Sequence, residues 1–284
     1  MTRSASPRLL TGVALGIAGA VFCSLSAPAG AEPLGTTPPP PAVVSENGHA
    51  DQPVSAETPG ELLDLARWKI TLPQDTPSID GNPNEITSPA ITTYQHTDFF
   101  RVTDDGQRVL FRAPVDGPVT ESTEFPRSEL REMTSSTELD AEGPGWSTTD
   151  GTHVMTLRTR ITEVPKVKQH VVVAQIHDSE DDVVMVRWEF GRLFVEAEGV
   201  EIGDLNPNQP LNSDFDVEIR AAGGVISISY NGGAPVTLTR DRTGCYFKAG
   251  IYTQSNKTRV WDGVLEDPTS AGAAEVTSLT VTHS

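Results

Sequence analysis

The stretch Tyr246-Phe247-Lys248-Ala249-Gly250-Ile251-Tyr252-Thr253-Gln254 decides how this chain is read. Side chains alternate across a β-strand, so residues two apart share a face. One face then carries Tyr246, Lys248, Tyr252 and Gln254, and the other carries Phe247, Ala249, Ile251 and Thr253. Polar and apolar residues sort cleanly, as they do in a strand with one side in a core. Two upstream segments sort in the same way. In Arg127-Ser128-Glu129-Leu130-Arg131 the three charged residues point one way, and such a face must show itself to water or to an anion. In Ala174-Gln175-Ile176-His177, Gln175 and His177 share a face opposite Ala174 and Ile176.

Period-two patterning recurs outward from these three segments. Ala66 to Leu72 reads as a strand ending at Pro73, after one helical turn at Pro59 to Leu65. Phe99 to Thr103 and Gln107 to Arg112 flank the hairpin signal Asp104-Asp105-Gly106. Val154 to Val164, Val167 to His177, Val183 to Phe190 and Leu193 to Ala197 come next, then Phe215 to Ala221, Val225 to Tyr230, Val236 to Thr239 and Val276 to Thr282. About a dozen short strands with almost no helical periodicity predict an all-β fold, an antiparallel two-sheet β-sandwich or jelly roll. The concave sheet of such a sandwich lines a groove for an extended polymer.

Composition narrows the function. The 284 residues hold 21 Lys+Arg against 39 Asp+Glu, a net charge of −18, which excludes a basic nucleic-acid binder. At the start, Arg3 and Arg8 precede an apolar run from Leu9 to about Ser26 and the small-x-small pattern Ala29-Gly30-Ala31. Residues 1–31 therefore read as a secretory signal peptide rather than a membrane anchor. Residues 32–59, with Pro38 to Pro41, four acids and no Lys or Arg, read as an acidic Pro-rich tether. The remaining domain, 60–284, holds 19 basic and 35 acidic residues, a charge of −16. Arg127, Arg131 and Lys248 on one surface would focus positive potential against that background. Cys23 falls in the leader, which leaves Cys245 as a buried thiol without a disulfide partner.

The segments RSELRE (127–132), QIH (175–177) and YFKAGIYTQ (246–254), in this order and spacing, resemble the motif blocks of the family 7 polysaccharide lyases, the alginate lyases. WKITLP from Trp68 resembles that family's first strand. The resemblance spans residue 60 to the end and implies a jelly roll that cleaves alginate by β-elimination without a cofactor. The expected partner is an anionic polysaccharide, with no nucleic acid and no membrane, and the chain is expected to be a monomer. Elimination removes the C5 proton and expels the C4 oxygen, while charge builds on the C5 carboxylate and must be neutralised. Arg127 offers a forked pair of donors and Gln175 an amide donor. His177 suits the base role, and Tyr252 donates to O4, or acts as a phenolate if a neighbouring cation lowers its pKa. Guluronate, with proton and leaving group on opposite faces, needs two residues; for mannuronate Tyr252 alone could serve both roles. Glu129, Arg131, Tyr246, Lys248 and Gln254 read as substrate contacts, and Ile176 between Gln and His resembles the guluronate-accepting members.

Other readings compete. A lyase for another polyuronate, such as polymannuronate or polyglucuronate, needs the same groups. A glycoside hydrolase needs two spaced carboxylates, and Glu129, the one acid within the blocks' polar faces, sits between arginines. A non-catalytic carbohydrate-binding sandwich needs exposed aromatic platforms, and of four tryptophans Trp68 and Trp188 fall in core-like strands. Asp178 to Asp182 reads as a solvated acidic turn rather than a calcium loop, because EF-hand spacing and its Gly are absent. No metal site is predicted.

Overall fold

The computed structural model describes residues 56–76, 79–121, 123–134 and 144–284; the expected leader and the tether up to residue 55 lie outside the described residues. One helical turn, α1 (Pro59–Leu62), and a 3-10 turn (Ala90–Thr92) are the only helices among the described residues. The strands are β1 (Trp68–Thr76), β2 (Ile79–Ile86), β3 (Phe100–Val102), β4 (Val109–Pro114), β5 (Arg127–Glu132), β6 (Thr152–Glu163), β7 (His170–His177), β8 (Asp182–Glu189), β9 (Arg192–Ala197) and β10 (Val200–Asn206). They continue with β11 (Phe215–Ala222), β12 (Val225–Tyr230), β13 (Val236–Thr239), β14 (Tyr246–Thr253), the short β15 (Val260–Trp261) and β16 (Val264–Leu265), and β17 (Ala271–His283).

Two antiparallel sheets pack face to face. One has the order β10-β9-β8-β7-β14-β5-β1-β2, the other β13-β12-β11-β6-β17-β4-β3, and β15 pairs with β16 alone. The expected jelly-roll sandwich is what the chain adopts. Its core interleaves Ile70, Leu130, Ile176, Phe247 and Ile251 of the first sheet with Phe111, Met155, Phe215 and Ile219 of the second, all buried. Burying a side chain of this size contributes roughly 1.5–3 kcal/mol each.

The two sheets treat their outer faces differently. On β11, Phe215, Val217, Ile219 and Ala221 are buried while Asp216, Glu218 and Arg220 are exposed, a strict alternation. On β5, β7 and β14 almost every residue is buried on both faces. The charged faces expected to meet water or an anion are here largely covered by one another's side chains.

Edge strands account for what the pattern missed. β2 and β10 form the two edges of the eight-stranded sheet. β2 carries Gly81 and Pro83 and pairs with β1 through irregular register, so β1 runs past Pro73 to Thr76 instead of ending there. Proline is tolerated where one side of a strand has no neighbour. β17 starts at Ala271 rather than Val276, and its end is fastened by His283, whose Nε2 lies 2.6 Å from Glu132 Oε1 and whose Nδ1 lies 2.7 Å from His153 Nδ1.

The motif strands lie side by side. β14 sits between β7 and β5, pairing Tyr246 with His177, Lys248 with both Gln175 and Arg131, and Tyr252 with Arg127. Between Ala249 and Tyr252 it advances three residues while β7 advances two, a bulge that re-aims Tyr252. Gly250 sits in it at φ +137°, where an added Cβ would lie 2.6 Å from the Ser128 carbonyl oxygen and 3.0 Å from Glu129 Cα. Gly250→Ala is expected to destabilise the fold by about 2 kcal/mol or more, through backbone strain plus the clash. Thermal and denaturant unfolding measure it, and a variant as stable as the parent would contradict this role for the bulge.

Candidate active site

The three adjacent strands hold their polar side chains over one groove made of two adjoining cavities. The larger, ≈ 470 Å³, is lined by Lys69, Arg131, Tyr246 and Lys248 among others. The smaller, ≈ 200 Å³, is lined by Phe125, Gln175, Asp182, Tyr252 and Gln254 among others. Thr123, Arg127 and His177 line both. Eight of the nine residues singled out from the sequence thus border the groove.

Glu129 is the ninth, and it lies beneath the groove instead of lining it. It is 1% exposed, and its carboxylate is fully engaged. Oε2 takes Arg127 Nη1 at 3.0 Å and Lys248 Nζ at 2.7 Å, and Oε1 accepts the Gln175 amide. The substrate-contact reading of Glu129 is therefore corrected: no face of it is free for a sugar. Burial opposes its ionisation, but Lys248 and Arg127 hold its pKa below the usual carboxylate value. Burial and the neighbouring Arg127 push Lys248 down. The arrangement clamps Arg, Lys and Gln donors at fixed spacing over the floor.

Arg127 lies with its guanidinium carbon 3.9 Å from the centre of the Tyr252 ring, between that ring and Glu129. One arm of its fork is committed to Glu129, so less of the fork than the sequence suggested is left for a ligand. Arg131 stacks similarly on Tyr246, at 4.3 Å.

His177 Nδ1 lies 2.6 Å from the Asp178 carbonyl oxygen and 3.0 Å from the Tyr246 hydroxyl. A carbonyl can only accept, so Nδ1 carries the proton and Nε2 keeps its lone pair. Burial, then Lys248, lowers the pKa of His177 below 6.5, so the ring is neutral at neutral pH. Burial raises the Tyr252 pKa and outweighs the opposing pull of Arg127. The adjacent cation is present, yet the group remains a phenol. A neutral imidazole and a protonated phenol in one cavity make a base and an acid.

The turn after His177 does more than sit in solvent. Asp178 is buried, and its Oδ1 accepts the N–H groups of Glu180 at 2.8 Å and Asp181 at 3.0 Å, which fixes the carbonyl that orients His177. Asp182, the first residue of β8, lines the smaller cavity, with its pKa raised to about 6 by burial and by Asp181. Among the described residues no group of three or more His, Cys, Asp or Glu could hold a metal ion.

Sequence reasoning missed Lys69, which the alternation in Trp68-Lys69-Ile70-Thr71-Leu72 places on the groove side and which pairs with Glu85 at 2.7 Å. It also missed Phe125, whose ring lies 6.3 Å from that of Tyr252. Phe125 sits in a loop, where no periodicity marks it.

A family model described as alginate lyase matches residues 63–283. The fold is similar to that of AlgAT5, an alginate lyase from polysaccharide lyase family 7, at 44% identity over 81% of this chain and 100% of that one, TM-score 0.74. It is similar to the alginate lyase from Corynebacterium sp., at 37% identity over 81% and 100% of the two chains, TM-score 0.74. A third likeness is to the family 7 alginate lyase A1-II', a doubly substituted form in complex with the substrate GGMG, at 27% identity over 81% and 97%, TM-score 0.65.

Removing the floor charge should collapse the donor array. Glu129→Gln leaves Lys248 and Arg127 buried without their anion, and breaking a buried pair in this way costs about 3–5 kcal/mol. Because the folded-state pKa of Glu129 is depressed, its contribution is complete above about pH 4.5 and is lost as pH falls through the lower folded value. Denaturant unfolding of parent and variant at neutral pH and near pH 3 checks both, the difference between the two proteins shrinking in acid.

Proposed function

This chain belongs to the alginate lyase family, and from that premise we propose that it cleaves guluronate or mixed blocks of alginate faster than pure mannuronate, as an exported enzyme with His177 as base and Tyr252 as acid. It is a polysaccharide lyase, and β-elimination is the reaction general to its family. The observation that carries the finer reading is the pairing of a neutral His177, with Nε2 free, and a protonated Tyr252 across one cavity.

In this scheme His177 Nε2 takes the C5 proton, and the electrons of that C–H bond form the C4=C5 double bond. The C4–O4 bond breaks, and O4 receives the Tyr252 proton. As the proton leaves, charge develops on the C5 carboxylate, where Arg127 and Gln175, held by Glu129, are already aimed. Nothing has to reorganise when the charge appears. Two separate residues of opposite proton content suit guluronate, whose proton and leaving group lie on opposite faces. A single residue acting as both base and acid, the mannuronate route, would first have to lose the phenol proton, which burial of Tyr252 opposes. Ile176 is fully buried in the core and reaches the groove only through the strand it positions.

Arg131, Tyr246, Lys248 and Gln254 border the groove as substrate contacts in this reading. The same array would accept another polyuronate, and the polymer assay separates them. A polymeric substrate calls for action outside the cell, and the Arg3/Arg8 leader with Ala29-Gly30-Ala31 supports export. N-terminal sequencing of exported protein is expected to begin at Glu32; a retained leader would contradict it.

Polyguluronate and polymannuronate blocks assayed side by side, by the ultraviolet absorbance of the conjugated product, test the mechanism. The parent should turn over guluronate faster, on a pH–rate limb that rises with a midpoint below 6.5, since the base is active only when neutral. His177→Ala should lose about 10² to 10⁴ on guluronate, the usual worth of a general base. Tyr252→Phe should be inactive on both polymers while still binding them. A mannuronate preference would overturn the specificity, and guluronate turnover by His177→Ala within about tenfold of the parent would overturn the base assignment.

A further inference from the structure

The smaller cavity is bounded by Phe125, and the side chains around that ring continue away from Tyr252. Lys168 Nζ lies 5.1 Å from the centre of the Phe125 ring and 5.6 Å from that of Trp261. The Arg259 guanidinium lies 5.5 Å from the same Phe125 ring. Lys168 is 6% exposed, and among the described residues its ammonium has neither a hydrogen-bond nor an ion-pair partner. Burial, with Arg259 and Arg187 nearby, pushes its pKa down to about 8.

The backbone around Lys168 is anchored from below. Glu266, itself 1% exposed, accepts the N–H groups of Val167 at 3.0 Å and Lys168 at 2.9 Å, and the hydroxyls of Ser255 at 2.7 Å and Ser270 at 3.0 Å. The acids that face Lys168 are engaged elsewhere or loose: Glu189 serves Arg187 and His170, and Glu124 is 3.7 Å from Arg259. The Lys168 side chain is packed among rings with no anion paired to its ammonium, and even the partial burial of such an unpaired charge is unfavourable. In a domain this acidic, a positive charge left unmatched calls for an anionic ligand.

Beside it is an aromatic shelf. Trp68, Trp146 and Trp188 are buried, whereas Trp261 is 37% exposed on the β15–β16 hairpin and Phe190 is 55% exposed. Their rings stack at 6.4 Å, with His170 edge-on to both. Exposed flat rings of this kind pack against the apolar face of a sugar ring. A uronate offers such a face together with a carboxylate.

We propose that Lys168, Arg259 and the Trp261–Phe190 shelf form a distal subsite that holds one further uronate of the alginate chain where it leaves the catalytic groove past Phe125. The two cations take its carboxylate, and Trp261 takes its ring face. The subsite rests on alginate as the polymer in the groove, and it adds where that polymer runs and why a longer chain is held more tightly.

Calorimetric titration in a Tyr252→Phe background, with an alginate trisaccharide and with a long alginate oligosaccharide, measures binding without cleavage. Adding Trp261→Ala or Lys168→Gln should lower the long-to-short affinity ratio about tenfold, and Trp261→Tyr should retain it. The ratio of kcat/KM on long and short chains, in proteins with Tyr252 intact, should fall in parallel. A Trp261→Ala ratio within about twofold of the parent would overturn the subsite, and this variant lies on an exposed hairpin, so it carries the test even if Lys168→Gln does not fold. If the parent cleaves alginate and the ratios do not respond, the subsite alone fails. If the parent makes no unsaturated product yet the binding ratio responds, the catalytic reading fails and the subsite stands.

Discussion

The Glu129 carboxylate is the one charge on which the groove depends. Almost fully buried on β5, it binds donors from all three motif strands: Arg127 on its own strand, Lys248 on the middle strand β14 and Gln175 on β7. Two cations brought this close without an anion would repel each other and would be expensive to desolvate. With Glu129 between them they become a rigid, mostly neutralised lattice that still presents N–H groups upward. In the proposed reaction a substrate carboxylate above that lattice would meet donors already fixed in place by folding, which is how oriented dipoles favour a charge that develops only during reaction.

The same arrangement resolves the mismatch between a protein of net charge −18 and a polyanionic substrate. Long-range attraction cannot bring the two together, because the overall sign is wrong. The positive residues are instead gathered in one place: Arg127, Arg131, Lys248 and Lys69 line the larger cavity, where the proposed substrate groove runs. Acids elsewhere on the sandwich, such as Asp214 with Arg108 and Asp216 with Arg158, are paired along the second sheet.

How much was legible in the sequence depends on where each residue sits. Strands with one face in the core and polar side chains opposite announced themselves, and with them came Arg127, Gln175, His177 and Tyr252 as neighbours on one surface. β2 and β10 did not, because edge strands tolerate the glycines and prolines that interrupt a pattern in the middle of a sheet. Phe125 and Lys168 precede β5 and β7 in the folded chain, and only the fold brings Phe125 beside Tyr252 and Lys168 beside Phe125. The burial of Glu129 was hidden for a different reason: alternation tells which face a residue is on, not how deep that face lies once loops and neighbouring charges close over it. Asp178 was read as solvent-facing on composition, and its hydrogen bonds to the turn that orients His177 depend on geometry no local pattern encodes.

The contrast between the two sheets sets very different tolerances to mutation. On β11 every second position points to water, so Asp216, Glu218 and Arg220 can be exchanged for other polar residues with little effect on packing. On β5, β7 and β14 hardly any position is free, since one face is hydrophobic core and the other is the donor lattice. An evolving or engineered version of this enzyme would therefore vary its surface charge, and its attachment to other molecules, along the β11–β13 side. Its chemistry would be changed through loop residues at the groove's ends rather than through the strands that form its floor.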